Sequence, residues 1–224
     1  GTAVEPLLEQ HLEASGGRFR GVRISSGWHQ DERINNVAEQ AGVLLDPRVG
    51  DAVKVIQRMG LSLDCWLYHT QLDELAQLAD AHPDLTIVLN HVGSPILGGP
   101  YRGRTDEVFE HWKVGIARAS ERQNVFVKLG AMPIRMPSYA GDRTLPPGSE
   151  EVSAAWRPWM ETCIEAFGVE RSMYESNFPV QKRWCSYQVC WNAFKRISAG
   201  ASVAEKAQLF AGAAARAYRM EGVV

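Results

Sequence analysis

The sequence predicts an α/β fold built on a parallel sheet, and two observations carry that expectation. Short β-branched apolar runs alternate with helical periodicities from end to end of the 224 residues. This is the pattern of parallel strands joined by right-handed helical crossovers. The second observation is Thr86-Ile-Val-Leu-Asn-His-Val-Gly-Ser-Pro95. It opens as a buried strand and breaks abruptly into polar residues, and Gly93 and Pro95 then turn the chain. A histidine at the C-terminal tip of a buried strand is where an α/β barrel places catalytic groups. On a continued strand Ile87, Leu89 and His91 share a face. That aims His91 at a substrate, or leaves it bonded to a loop carbonyl.

The elements follow in order. Ala3 to Ala14 has apolar residues at helical spacing and Pro6 in its first turn. Phe19 to Ser25 is a strand carrying Arg23, and 28–42 is polar, a loop or a loop carrying a short helix. Pro47 to Met59 is a helix closed by Gly60. Leu61 to Leu67 is a strand with Asp64 inside it, ending in Tyr68 and His69. Leu72 to Ala81 is a helix, and 94–104 is a Gly/Pro-rich loop. Asp106 to Glu121 is a helix, and Asn124 to Leu129 is a strand that includes Lys128. The long Pro/Gly-rich stretch 130–148 has the character of a lid or binding loop. Glu150 to Phe167 is a helix interrupted or restarted near Pro158. Arg171 to Phe178 is the last strand, and Ala193 to Met220 gives one or two Ala-rich helices. Five strands result, with no internal repeat and no Gly-rich phosphate fingerprint.

The totals exclude several classes. Twenty-four basic residues against 26 acidic ones leave a net charge of −2, too balanced to argue for nucleic acid or an anionic membrane. No apolar run approaches the roughly 20 residues of a spanning helix, and the start does not read as a signal peptide. Cys65, Cys163, Cys185 and Cys190 show no CxxC spacing. This argues against a zinc knuckle and for a reduced, cytoplasmic setting. The first residue is Gly1, so the chain starts inside a longer protein or after a removed tag.

Four phrases, Phe19-Arg-Gly-Val-Arg23, Leu89-Asn-His-Val-Gly93, Val127-Lys-Leu-Gly130 and Arg171-Ser-Met-Tyr-Glu-Ser-Asn-Phe-Pro179, together with the closing Ala214-Ala-Arg-Ala-Tyr-Arg219, resemble amidohydrolases of the amidohydrolase-2 type. The likeness is to sugar-lactone and 2-pyrone-4,6-dicarboxylate lactonases, with decarboxylases more distant. It implies a TIM-type (β/α)8 barrel in a single domain. Such barrels begin with a strand ending in His-x-His, a motif this sequence lacks. The resemblance therefore implies a barrel without its first two strands. The edges left unpaired predict a chain that forms a homodimer through the gap or is poorly soluble.

The resemblance makes His91 a metal ligand or a carbonyl-polarising group, and places Asn177 where many relatives have Asp. A carboxylate accepts a proton and an amide does not. Strand parity puts Glu175 and Met173 on the face of Asn177. Arg23, Asp64, Lys128 and Glu175 are then four charges in apolar strands. Glu175 and Asp64 are expected to pair with Lys128 and Arg23, either as a structural ion network or as a cluster that makes Glu175 a substitute base. Tyr68 and His69 follow a strand, at the active face or its rim, and join Arg23, Asp64 and Lys128 as substrate-binding candidates. Trp66, Trp112, Trp156, Trp159 and Trp184 are read as core, and His11, His29, His82 and His111 receive no chemistry. His91 and Asn177 do not make the three protein ligands usual at a catalytic zinc. The cofactor expectation is no metal or weakly held zinc. The activity implied is a lactonase-like hydrolase acting on a small molecule. The alternatives are a decarboxylase of the same superfamily or a non-catalytic binding remnant.

Overall fold

The computed structural model describes residues 1–132 and 146–222. Most of the expected lid at 130–148 lies outside the described residues. Five strands, β1 (Gly21–Ser25), β2 (Ser62–Trp66), β3 (Ile87–Leu89), β4 (Val125–Leu129) and β5 (Ser172–Tyr174), form one sheet in the order β1-β2-β3-β4-β5. Every pair is parallel. Because sheet order follows chain order, each crossover winds the same way. That is the winding of a (β/α)8 barrel, not of a doubly wound sheet whose order reverses.

The helices are α1 (Glu5–Ala14), α2 (Pro47–Arg58), α3 (Leu72–Ala81), α4 (Thr105–Ser120), α5 (Ser149–Phe167), α6 (Tyr187–Ile197), α7 (Val203–Ala207) and α8 (Ala213–Tyr218). Local chemistry sets several of their ends. Asp46 caps α2 by accepting from the Arg48 N–H, with Pro47 at the first position. Ser202 and Glu205 form a capping box on α7. The chain expected to break near Pro158 runs through it as one helix. Buried Trp156, Trp159, Met160 and Cys163 anchor both sides of the proline, and packing outweighs the lost N–H bond. The tail helix starts earlier than its alanine content suggested, at Tyr187. The final helical stretch contains a π turn, Gln208–Gly212.

The two faces of the sheet have different partners. Leu63, Cys65, Ile87, Leu89, Val127 and Leu129 face a large core shared with the helices. Val88, Phe126 and Met173 face the other way and pack under Ala213 and Ala217 of α8. In a closed barrel that second face is the interior; here α8 lies across it. The register aligns Arg23, Asp64, Val88 and Phe126 across four strands. The inner face therefore carries Arg23, Asp64 and Lys128 beside the small apolar cluster.

Candidate active site

A pocket of about 690 Å³ opens at the C-terminal ends of the strands, where a barrel of this winding carries its chemistry. Its floor includes His91 and Asn177. Both residues have left-handed backbone conformations, φ 58° and 51°, which are rare for non-glycine residues and store strain of about 1–3 kcal/mol each. β3 ends at Leu89, so the alternation expected to align His91 with Ile87 and Leu89 stops there. Those two leucine-type side chains pack against the helices, and the left-handed turn sends His91 toward β5. Trp112 Nε1, on α4, donates to the Val92 carbonyl at 2.6 Å and pins this turn.

His91 Nδ1 is hydrogen-bonded to Glu175 Oε1, and both side chains are largely buried, 9% and 16% exposed. Gly130, at the end of β4, makes room for this pair. A Cβ there would collide with the Glu175 carbonyl and side chain. With Nδ1 engaged by the carboxylate, Nε2 is the ring nitrogen left for the pocket. The expected pairing of Glu175 with Lys128 or Arg23 is thus corrected: its partner is His91.

The other charges form a separate network one layer down. Lys128 Nζ is paired with Asp64, and Tyr218 on α8 donates to Asp64 Oδ1 at 2.8 Å. With its amide nitrogen facing Asp64, Asn90 donates to Oδ2 (3.0 Å) and accepts from Arg23 Nε (3.3 Å). Arg23 is exposed on the edge strand and reaches Asp64 only through Asn90. Burial, and then Asp64, push the Tyr218 hydroxyl far above its ordinary value. Arg23, Asp64, Lys128 and Tyr218 line a smaller hollow of about 320 Å³. Only Arg23 of this group also lines the main pocket.

Tyr68 lines the pocket and donates to the Asn35 carbonyl at 2.5 Å. His69 does not reach it. It is 2% exposed and packed edge-on against Tyr101 and His111. Its Nδ1 accepts from the Ile96 N–H, and Nε2 has no hydrogen-bond partner. Burial, with His111 and His29 nearby, pulls its pKa down to about 4. Arg33, Arg183, Trp66 and Trp184 also line the pocket, and the sequence reading had not placed them there. Their position, Trp66 at the C-terminal tip of β2 and the others in the segments that follow β1 and β5, is the signal that could have found them. Gln71 ties two of those loops together. Its Oε1 accepts from Trp28 and Tyr68, and its Nε2 donates to the Ser26 carbonyl.

A family model described as amidohydrolase matches residues 2–220. The chain belongs to the amidohydrolase family. It is 35% identical to an uncharacterized protein of Sinorhizobium fredii, over 97% of this chain and 66% of that protein. It is 24% identical to L-fucono-1,5-lactonase of Burkholderia multivorans, over 96% and 70%. The chain thus spans about two-thirds of the length of these relatives. A crystal structure of an amidohydrolase from B. multivorans with bound HEPES matches with a TM-score of 0.77 at 23% identity, over 96% of this chain and 70% of that one. A second crystal form of that amidohydrolase holds zinc and gives 0.73, over 95% and 69%. At these identities the structural likeness is one of fold, an amidohydrolase-type barrel of which five strands are described here.

A three-ligand zinc centre does not fit the described residues by themselves. Nδ1 of His91 is committed to Glu175, position 177 offers an amide, and no group of three His, Cys, Asp or Glu side chains converges among the described residues.

Proposed function

We propose that this amidohydrolase chain opens a lactone or a similar cyclic ester or amide, using His91 as its proton-transfer group. The observation that supports this reading is the His91–Glu175 pair at the floor of the pocket. Glu175 accepts from Nδ1–H and fixes the tautomer in which Nε2 carries a lone pair. Nε2 takes a proton from a water as its oxygen adds to the ring carbonyl, and the carboxylate balances the imidazolium that forms. Asn177 holds that water or the carbonyl through its amide. The developing oxyanion faces the guanidinium groups of Arg23 and Arg183. When the ring C–O or C–N bond breaks, the leaving atom takes the proton back from Nε2, giving a hydroxy or amino acid.

Proton release in a pH-stat across a panel of aldonolactones and other small cyclic esters and amides tests this. Turnover that His91→Asn abolishes is the expected result. Release of carbon dioxide from carboxylate substrates in place of ring opening would favour a decarboxylase. Ligand binding with no turnover on any substrate would favour a binding module.

A further inference from the structure

Two of the four cysteines meet behind the pocket wall. Ser186 is the N-cap of α6, its Oγ accepting from the Val189 N–H at 3.2 Å. Cys185 precedes the cap, and Cys190 is the fourth residue of the helix, its N–H bonded to the Ser186 carbonyl at 3.0 Å. In a capped helix the residues at these two positions pack against each other. Here both are cysteines, 4% and 1% exposed, and both belong to the same buried core cluster.

We propose that Cys185 and Cys190 form a peroxide-responsive dithiol that closes reversibly to a disulfide. The Cys190 thiol, and then Gln181, hold Cys185 below the ordinary cysteine range, despite burial. Cys190 is pushed up, chiefly by Cys185 itself. The pair therefore has a nucleophile and a resolving partner. The Cys185 thiolate attacks hydrogen peroxide: an S–O bond forms, the O–O bond breaks, and the departing hydroxide leaves as water. The resulting sulfenic acid is neutral, so the main cause holding Cys190 protonated is gone. The Cys190 sulfur then attacks the Cys185 sulfur. The S–S bond forms, the S–O bond breaks, and hydroxide leaves with the Cys190 proton as a second water. Two thiols and one peroxide give one disulfide and two waters. Trp184 and Gln181 flank Cys185 and line the pocket, which gives a small peroxide its route. The bond would tie the segment carrying those wall residues to the first turn of α6. Cys65 and Cys163 are fully buried in the main core, and burial pushes both thiols far up. They serve as internal controls.

Both reactive cysteines lie in one tryptic peptide, Trp184 to Lys195, bounded by Arg183 and Lys195. The purified chain is titrated with hydrogen peroxide, denatured, alkylated with iodoacetamide and digested. The expected peptide is two hydrogens lighter and carries no alkyl group, and dithiothreitol restores double alkylation. Cys65 and Cys163 stay fully alkylated. In Cys190→Ser the Cys185 sulfenic acid accumulates and is trapped by dimedone. In Cys185→Ser the thiol of Cys190 does not react. Oxidation of Cys65 or Cys163 first would overturn the proposal. So would Cys185 passing to the sulfinic acid in the unaltered chain with no disulfide formed.

Discussion

At the scale of single residues, the pair His91–Glu175 and the isolated His69 behave in opposite ways. Glu175 acts on the reaction through His91, as a positioning residue. Glu175→Gln keeps the shape and a hydrogen-bond acceptor but removes the charge that balances an imidazolium. Under the proposed reaction, kcat is expected to fall by roughly 10²–10⁴, the usual share of acid–base catalysis. KM should change much less, because Glu175 lies behind His91. Equal loss in both constants would argue for a collapsed pocket. His69 is a stability group. Its folded pKa, about 4, lies below the value of roughly 6.5 for a free histidine. The unfolded chain therefore binds the proton that the folded chain refuses. The stabilisation is fully present above pH ~6.5 and is lost as pH falls toward 4, by about 3 kcal/mol in all. Urea unfolding at pH 7 and pH 5 measures this. His69→Gln is expected to flatten the difference. An unchanged difference would mean that His69 is protonated in the folded chain.

At the scale of elements, the chemistry hangs on the turn after β3. That strand stops at Leu89, and the chain then passes through φ values of 58° and 49° at His91 and Val92. Such strain persists only where neighbours hold it. One holder is the Trp112 indole, fully buried on α4 and bonded to the Val92 carbonyl. Trp112→Phe keeps an aromatic ring but leaves that carbonyl unpaired. A stability loss of about 1–3 kcal/mol is expected from the orphaned acceptor, with more from the smaller ring. The reporter of position is the His91 imidazole, whose ring-proton chemical shifts should move relative to the unaltered chain. A drop in melting temperature with unchanged His91 ring-proton shifts would show that the turn is held without Trp112. β4 contributes through an absence of bulk: Gly130→Ala pushes into Glu175. It is expected to impair turnover as the loss of the Glu175 carboxylate does.

At the scale of the molecule, the inner face of the sheet has found a cover within the chain. Ala213 and Ala217, both fully buried, seat α8 on Val88, Phe126 and Met173, and Tyr218 completes the Asp64–Lys128 network. Alanines allow that close approach. Ala217→Asp sets an unpaired carboxylate into this contact and is expected to cost several kcal/mol. Thermal unfolding measures it, and a melting temperature within a degree or two of the original would remove α8 from the stability of the sheet. The outer edge of β1 stays unpaired among the described residues. Val22 and Ile24 on that edge line a groove of about 950 Å³. The homodimer proposed from the sequence would form there, since α8 closes the inner face. Light scattering on Ile24→Lys tests it: a dimer that becomes a monomer is the expected change, because edge lysines oppose strand pairing.

Alternation of short apolar runs with helical spacing was enough to place all five strands and the parallel sheet. Buried strands leave that signature in local composition. The family was also legible in the order of short phrases around Arg23, His91, Lys128 and Asn177. Local patterns failed where the chain leaves regular geometry. Parity assumes a continuous strand, so it assigned His91 to the wrong face once β3 ended. It did bring Glu175 near the site, but it could not name the partner. The same limit applies to Arg183 and Trp184 in the pocket wall, and to α8 on the inner face. Those positions depend on contacts between residues far apart in sequence. Such contacts are decided by how whole elements pack, because no stretch of sequence carries the shape of the surface it will meet.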